Sequence, residues 1–181
     1  MNLKDLCIRD NIPIVRDNTL KLIKEIIIKN NYYSILEIGS AYGYSAVCFS
    51  EIDCVNKIVS IEKNIENFKI AKQYENKKIN FINGDAFEVF LNEKFDFIFI
   101  DGPKSHQGTL FDKYQNLLND GGTIFIDNIY LKKFDSRKHL TKNQKNLLTK
   151  VTNFRNWLSE LKDFNVDIKD IDDGIAIVTK K

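Results

Sequence analysis

Two apolar runs each end in a carboxylate, FIFID at Asp101 and TIFID at Asp127, and the second is followed at once by Asn128. Runs of this kind need burial on both faces, as parallel strands do, and their C-terminal tips are where open α/β sheets bind ligands. Two carboxylates and an amide oxygen make a hard, incomplete donor set. It suits Mg2+, with waters and substrate oxygens in the remaining positions. The competing reading is local, because Asp and Asn at a strand end readily bond nearby backbone and start a turn.

A second constellation lies upstream. The segment Glu37-Ile38-Gly39-Ser40-Ala41-Tyr42-Gly43-Tyr44-Ser45 reads as a strand-to-helix turn with glycines four apart. Ala41 stands where a dinucleotide fingerprint places its second glycine, so a pyrophosphate need not be the reason for close backbone approach. Glu62, at the tip of the next strand, can accept bonds from both hydroxyls of a ribose. The Gly84-Asp85-Ala86 turn after the third strand can reach an adenine edge. A nucleoside carrying an amino-acid tail fits this layout better than NAD.

These residues need a scaffold that brings strand ends together. Leu20, Ile23 and Ile27 form an apolar stripe at helical spacing, followed by the buried-strand pattern SILEIGS. IVSIE (58–62) precedes a polar helical stretch from about Asn64, and INFING (79–84) precedes AFEVFL. FDFIFID precedes a helix around Gly108 to Leu118, and GGTIFID closes the series. The alternation predicts a parallel sheet with helices on both faces. A capping box at Thr141 and Gln144 starts a last helix that turns Leu147, Val151, Phe154, Leu158 and Leu161 inward. VDIKDI and GIAIVTK, separated by Asp172, Asp173 and Gly174, leave no room for a helix and predict an antiparallel hairpin at the sheet edge.

Composition bounds the function. With 181 residues and 43% apolar content the chain can bury one substantial core, and one domain spanning 1–181 is expected. No apolar stretch reaches membrane-spanning length, and the start, MNLKDLCIRDNIP, is mixed polar; the expectation is a cytoplasmic protein without membrane contact. Cys7, Cys48 and Cys54 lack CxxC spacing, which argues against a disulfide framework or a thiolate metal site. The net charge of +2 does not by itself indicate nucleic acid. Residues 131–150 concentrate Lys132, Lys133, Arg137, Lys138, Lys142, Lys145 and Lys150 against the single acid Asp135, a stretch that is either a phosphate-binding surface or a solvated loop.

ILEIGSAYGYSA, IEK and NGDA, in that order at successive strand ends, resemble the class I S-adenosylmethionine-dependent methyltransferases over nearly the whole chain. DGPK at 101–104 with the DN pair at 127–128 resembles the metal-dependent O-methyltransferases of the catechol and caffeoyl-CoA type. Within that group the sequence is most similar to the bacterial tRNA 5-hydroxyuridine O-methyltransferases. IPIV at 12–15, the DN pair, the basic loop before a long helix and the late DGIAIVTK carry that similarity.

The resemblance implies a Rossmann-like fold, with a seven-stranded, mostly parallel sheet and an antiparallel C-terminal hairpin. It also implies a homodimer. S-adenosylmethionine would be contacted by Val15, Glu37, Gly39, Gly43, Ser45, Glu62, Asp85, Ala86 and Asp101. Mg2+ or a similar divalent cation would be bound by Asp101, Asp127 and Asn128, with Lys104 and Asp101 catalytic. A tRNA anticodon loop would meet Lys132, Lys133, Arg137, Lys138, Lys142 and Arg155, and the product would be 5-methoxyuridine at the wobble position. The alternative is a small-molecule enzyme acting on a catechol-like vicinal diol with the same cofactor and cation. A cofactor-binding module without catalysis, or a nicotinamide-binding regulator, is disfavoured because a mere binder has no need of an open metal position.

Overall fold

The computed structural model describes residues 2–134, 137 and 139–181, the side chain of Lys133 excepted. Seven strands form one sheet: β1 (Ser34–Ile38), β2 (Lys57–Glu62), β3 (Ile79–Asn83), β4 (Phe95–Ile100), β5 (Leu118–Asp127), β6 (Phe164–Lys169) and β7 (Ile175–Lys180). Their spatial order is β3-β2-β1-β4-β5-β7-β6. The first five pair in parallel, while β7 runs antiparallel to both β5 and β6. The expected hairpin is present, with β6 at the edge and β7 inserted against β5.

Alternation along the strands divides the core in two. Ile35, Ile58, Phe97, Phe99 and Phe125 face one side, where Leu20, Ile23 and Ile27 of α2 (Asp17–Asn30) and Phe49 of α3 (Tyr44–Ser50) cover them. Leu36, Ile38, Ile98, Ile100, Ile124 and Ile126 face the other. There they meet Leu110, Phe111 and Tyr114 of α5 (Gln107–Tyr114) and Phe154 and Leu158 of α6 (Lys142–Leu158). Burial on both faces is why these strands read as continuous apolar runs rather than alternating ones. Phe99 is held edge-on by Phe49 and by Phe125, and its truncation to alanine would cost about 3–5 kcal/mol.

Local signals set the helix ends. α2 ends at Asn31 in the left-handed conformation, and α6 begins with the full Thr141–Gln144 capping box. Asn64 caps α4 (Ile65–Ala71) through its side chain. A short helix, α1 (Leu3–Arg9), precedes the elements anticipated from periodicity and buries Leu3 and Cys7 against Tyr42. AFEVFL does not continue the alternation with a helix. Asp85 instead closes a single turn, its side chain taking the N–H of Phe87 and its carbonyl those of Glu88 and Val89. Phe90 is left 85% exposed. No described helix is long and apolar enough to cross a membrane.

Candidate active site

β1 and β4 are neighbours from which the chain departs in opposite directions across the sheet, the switch point where α/β folds open a ligand crevice at the strand C-termini. Two cavities of about 520 and 290 Å³ lie there and share Gly39, Glu62, Asp101 and Gly102, so they form one bent crevice. Gly39 has φ +96°, and a Cβ on it would lie 2.8 Å from the carbonyl oxygen of Asp101. The exits of β1 and β4 can approach this closely only with glycine there.

The first half of the crevice is built from the ends of β1, β2 and β3. Glu62 lines both cavities and is fixed by backbone: Oε2 accepts from Ala41 N–H at 2.8 Å and Oε1 from Asn64 N–H at 2.7 Å. Each oxygen keeps a lone pair for a ligand hydroxyl. Asp85 and Ala86 line the smaller cavity. The Lys63 ammonium, 2.6 Å away, and the Phe87 N–H hold the Asp85 carboxyl below its usual range. The Ala86 carbonyl accepts from Tyr114 and Lys113, and burial pushes the Tyr114 phenol up to about 12. Val15 and Ser45 line the larger cavity, as does Ser40, whose buried hydroxyl has no hydrogen-bond partner among the described residues. An orphaned polar atom at that position fits a bound polar ligand.

Two expected cofactor contacts have other duties. Glu37 lies fully buried and lines neither cavity; it accepts from the hydroxyls of Ser45 and Ser60. Burial pushes its carboxyl up to about 7 despite both serines. Gly43 starts α3 at φ +86°, where a Cβ would lie 2.7 Å from the Phe81 ring, so its glycine serves the packing of α3 on β3.

The second half is carried by the ends of β4 and β5. A 3-10 turn over Lys104–His106 follows Asp101-Gly102-Pro103, and Lys104 Nζ donates to Asp101 Oδ1 at 2.5 Å. Asp127 is 5% exposed, and Asn128 follows it at φ +61°. Asn128 N–H donates to Asp127 Oδ1 at 2.7 Å, so the local turn bond exists within the crevice rather than in place of it. Burial pushes the Asp127 carboxyl up to about 6, the charge of Asp101 adds to the rise, and Lys104, the Asn128 N–H and Arg16 oppose it. Among the described residues no three His, Cys, Asp or Glu side chains gather as a metal cage. Asp101, Asp127 and Asn128, the residues expected to hold a cation, line the larger cavity together. Hard oxygens that repel one another and leave positions open fit Mg2+.

The segment after β5 is held from two directions. The turn between β6 and β7 offers the carbonyls of Gly174 and Asp173 to the N–H groups of Ile129 and Tyr130. Arg155 donates to the Ile129 carbonyl at 3.2 Å and stacks 4.6 Å over the Tyr130 ring. The same turn reaches the N-terminal wall: Asp173 pairs with Arg16 at 2.9 Å, and Asp172 accepts from the N–H and hydroxyl of Thr19. Of the basic residues, Lys132 is paired with Asp170, while Arg137 and Lys142 are exposed. Lys138 and the side chain of Lys133 lie outside the described residues.

The model of a protein family described as O-methyltransferase matches residues 8–181. The chain belongs to the O-methyltransferase family. It is 33% identical to a Staphylococcus aureus protein provisionally described as a caffeoyl-CoA O-methyltransferase, with a TM-score of 0.91 over 99% of this chain and 90% of that one. An O-methyltransferase from Bacillus cereus in complex with SAH shares the fold at 19% identity and TM-score 0.80, covering 98% of this chain and 88% of that one. The O-methyltransferase TomG from Streptomyces achromogenes, involved in tomaymycin synthesis and solved with SAM, shares it at 18% identity and TM-score 0.77, over 96% and 85%. The crevice is therefore the candidate methyl-transfer site of an O-methyltransferase family member.

Arg16 and Ser40 were not singled out from sequence, and Asp173 was read only as a turn residue. Arg16 adjoins IPIV and Ser40 lies inside the glycine turn, so proximity to those motifs was an available signal. The role of Asp173 depends on its pairing with Arg16 from a distant part of the chain, which no local pattern announces.

Proposed function

We propose that this protein transfers the methyl group of S-adenosylmethionine to the 5-hydroxyl of 5-hydroxyuridine at the tRNA wobble position, with a divalent cation assisting. The observation that carries the reading is the grouping of Asp101, Lys104, Asp127 and Asn128 on the wall of the larger cavity, where the charge of Asp101 adds to the rise of the Asp127 carboxyl. SAM and SAH in related folds support the donor, and the bent crevice supports a nucleoside with an amino-acid tail.

A divalent cation in this set would lower the pKa of an acceptor hydroxyl chelated through two adjacent oxygens. Asp101, Asp127 and Asn128 would hold it through side-chain oxygens. Lys104 Nζ, next to Asp101, has one of two roles: deprotonated, it takes the acceptor's proton; protonated, it stabilises charge developing on the acceptor oxygen. The pH dependence of kcat separates the two. Glu62 orients the donor's ribose, and Val15 helps wall the crevice from water.

The tRNA substrate is supported by the similarity in motif order and by the exposed Arg137 and Lys142 beyond β5. A small catechol-like acceptor is favoured instead by the internal engagement of Lys132 with Asp170 and of Arg155 with Ile129. Mass spectrometry of tRNA nucleosides from cells lacking the protein decides between them. Accumulated 5-hydroxyuridine with missing 5-methoxyuridine supports the tRNA reading; an unchanged profile with catechol turnover in vitro supports the other. Neutralising Arg137 and Lys142 should weaken tRNA binding, flatten its salt dependence and spare catechol turnover. Sedimentation of the purified protein tests the homodimer that the resemblance implies.

A further inference from the structure

Gln107 is the first residue of α5, and the buried stripe of that helix continues from it through Leu110, Phe111 and Tyr114. Spacings of three, four and seven make position 107 an apolar one. It holds a polar amide that is 1% exposed. Its Nε2 donates to the backbone carbonyl of Asp127 at 2.6 Å, while its Oε1 is buried with no partner among the described residues. A buried acceptor left unmade is unfavourable, and an aliphatic side chain would remove that defect. Gly108, beside it, sits so close to α6 that a Cβ would lie 3.3 Å from the Phe154 ring, which fixes the height of this turn over the sheet.

The placement gives the amide a use. Lys104 opens the 3-10 turn that follows Asp101-Gly102-Pro103, and Gln107, three residues on, opens α5, so Lys104 and Gln107 project from the same side. Lys104 reaches back to Asp101, and Gln107 reaches across to the end of β5. Beyond the carbonyl that it grips, the chain turns into the left-handed Asn128.

We propose that Gln107 is a positioning residue of the methyl-transfer site. Its bond ties the segment bearing Asp101 and Lys104 to the strand end bearing Asp127 and Asn128, and so sets the spacing of the donor set. It touches neither substrate nor cation. The proposal rests on the cation reading given above and adds a residue whose effect is separable from it.

The test is calorimetric titration of the purified protein with Mn2+, and separately with S-adenosylmethionine, for the wild type and for Gln107→Met. Methionine fits the apolar stripe and deletes both the donor and the unpaired acceptor. Mn2+ affinity should fall about 10- to 100-fold, the usual consequence of losing a partner that orients ligands. The dissociation constant for S-adenosylmethionine should not change, and Tm should be unchanged within about 3 °C or higher. Gln107→Asn, whose amide is too short to reach the carbonyl, should lose Mn2+ affinity in the same way. Wild-type Mn2+ affinity in both variants overturns the proposal, as does a parallel loss of Tm and S-adenosylmethionine binding, which marks a general packing role. A wild-type protein that binds no Mn2+ overturns the cation reading itself.

Discussion

The two halves of the crevice handle buried acids in opposite ways. On the side formed by β1, β2 and β3, Glu62 in the crevice is met by two backbone N–H groups and Glu37, buried outside it, by two serine hydroxyls, so both acids have partners supplied by neutral donors. In the half formed by β4 and β5, Asp127 meets Asp101, and the charge is offset by Lys104 and a single N–H. The first half has its acids satisfied, leaves the Ser40 hydroxyl unpartnered among the described residues, and suits a ligand recognised by hydrogen bonds. The second leaves Asp127 raised by its neighbour's charge even with Lys104, Arg16 and the Asn128 N–H opposing, the electrostatic setting that the proposed cation would relieve. An internal network and a reactive site can thus share strand ends a few residues apart.

The sharpest break in that contrast is removal of the repelling pair. Asp127→Ala or Asp101→Ala should reduce methyl transfer to background, read with a radiolabelled donor. Full wild-type activity in excess chelator would refute the cation's role in the second half. Lys104→Ala should be next, lowering kcat by about 10² to 10⁴. Gly174→Ala probes the clamp behind the second half. At φ +78° a Cβ would lie 1.9 Å from the Tyr130 ring, so a loss of about 2–4 kcal/mol in urea unfolding is expected.

The smallest effect sharpens the first half. The Glu37 carboxyl is raised in the folded protein from an ordinary 4.5 to about 7. The stability it contributes is therefore fully present below pH 4.5 and lost as pH rises through 7. Glu37→Gln should match the wild type near pH 4.5 and gain on it toward pH 8, by about 3 kcal/mol at most. Urea unfolding at both pH values checks this, and a constant difference would mean that Glu37 is not the titrating group.

The motif-bearing strand ends were legible because each signal is local. FIFID and TIFID are short apolar runs whose last residue is the chemistry, and both acids line the crevice. The hairpin was legible because Asp172, Asp173 and Gly174 leave no alternative to a turn, and α6 because its capping box and stripe agree. AFEVFL misled because its apolar count suggests a helix, whereas the chain makes a single turn after Asp85 and leaves Phe90 exposed. Glu37 and Gly43 lie inside a ligand motif yet serve burial and packing, a distinction that needs the facing residues Ser60 and Phe81. Asp172 meets Thr19 and Asp173 meets Arg16 from the far end of the chain, and separation of that size carries no periodic signature.

The insertion of β7 between β5 and β6 has a temporal consequence during synthesis. β5 is translated before α6 and β6, yet the strand that covers its open edge, and the turn before it that anchors Ile129 and Tyr130, follow both. A chain still on the ribosome can therefore assemble the nucleoside-facing strands early while the Asp127–Asn128 corner waits for residues 173–180. Competence for methyl transfer should emerge abruptly, once those residues have been made.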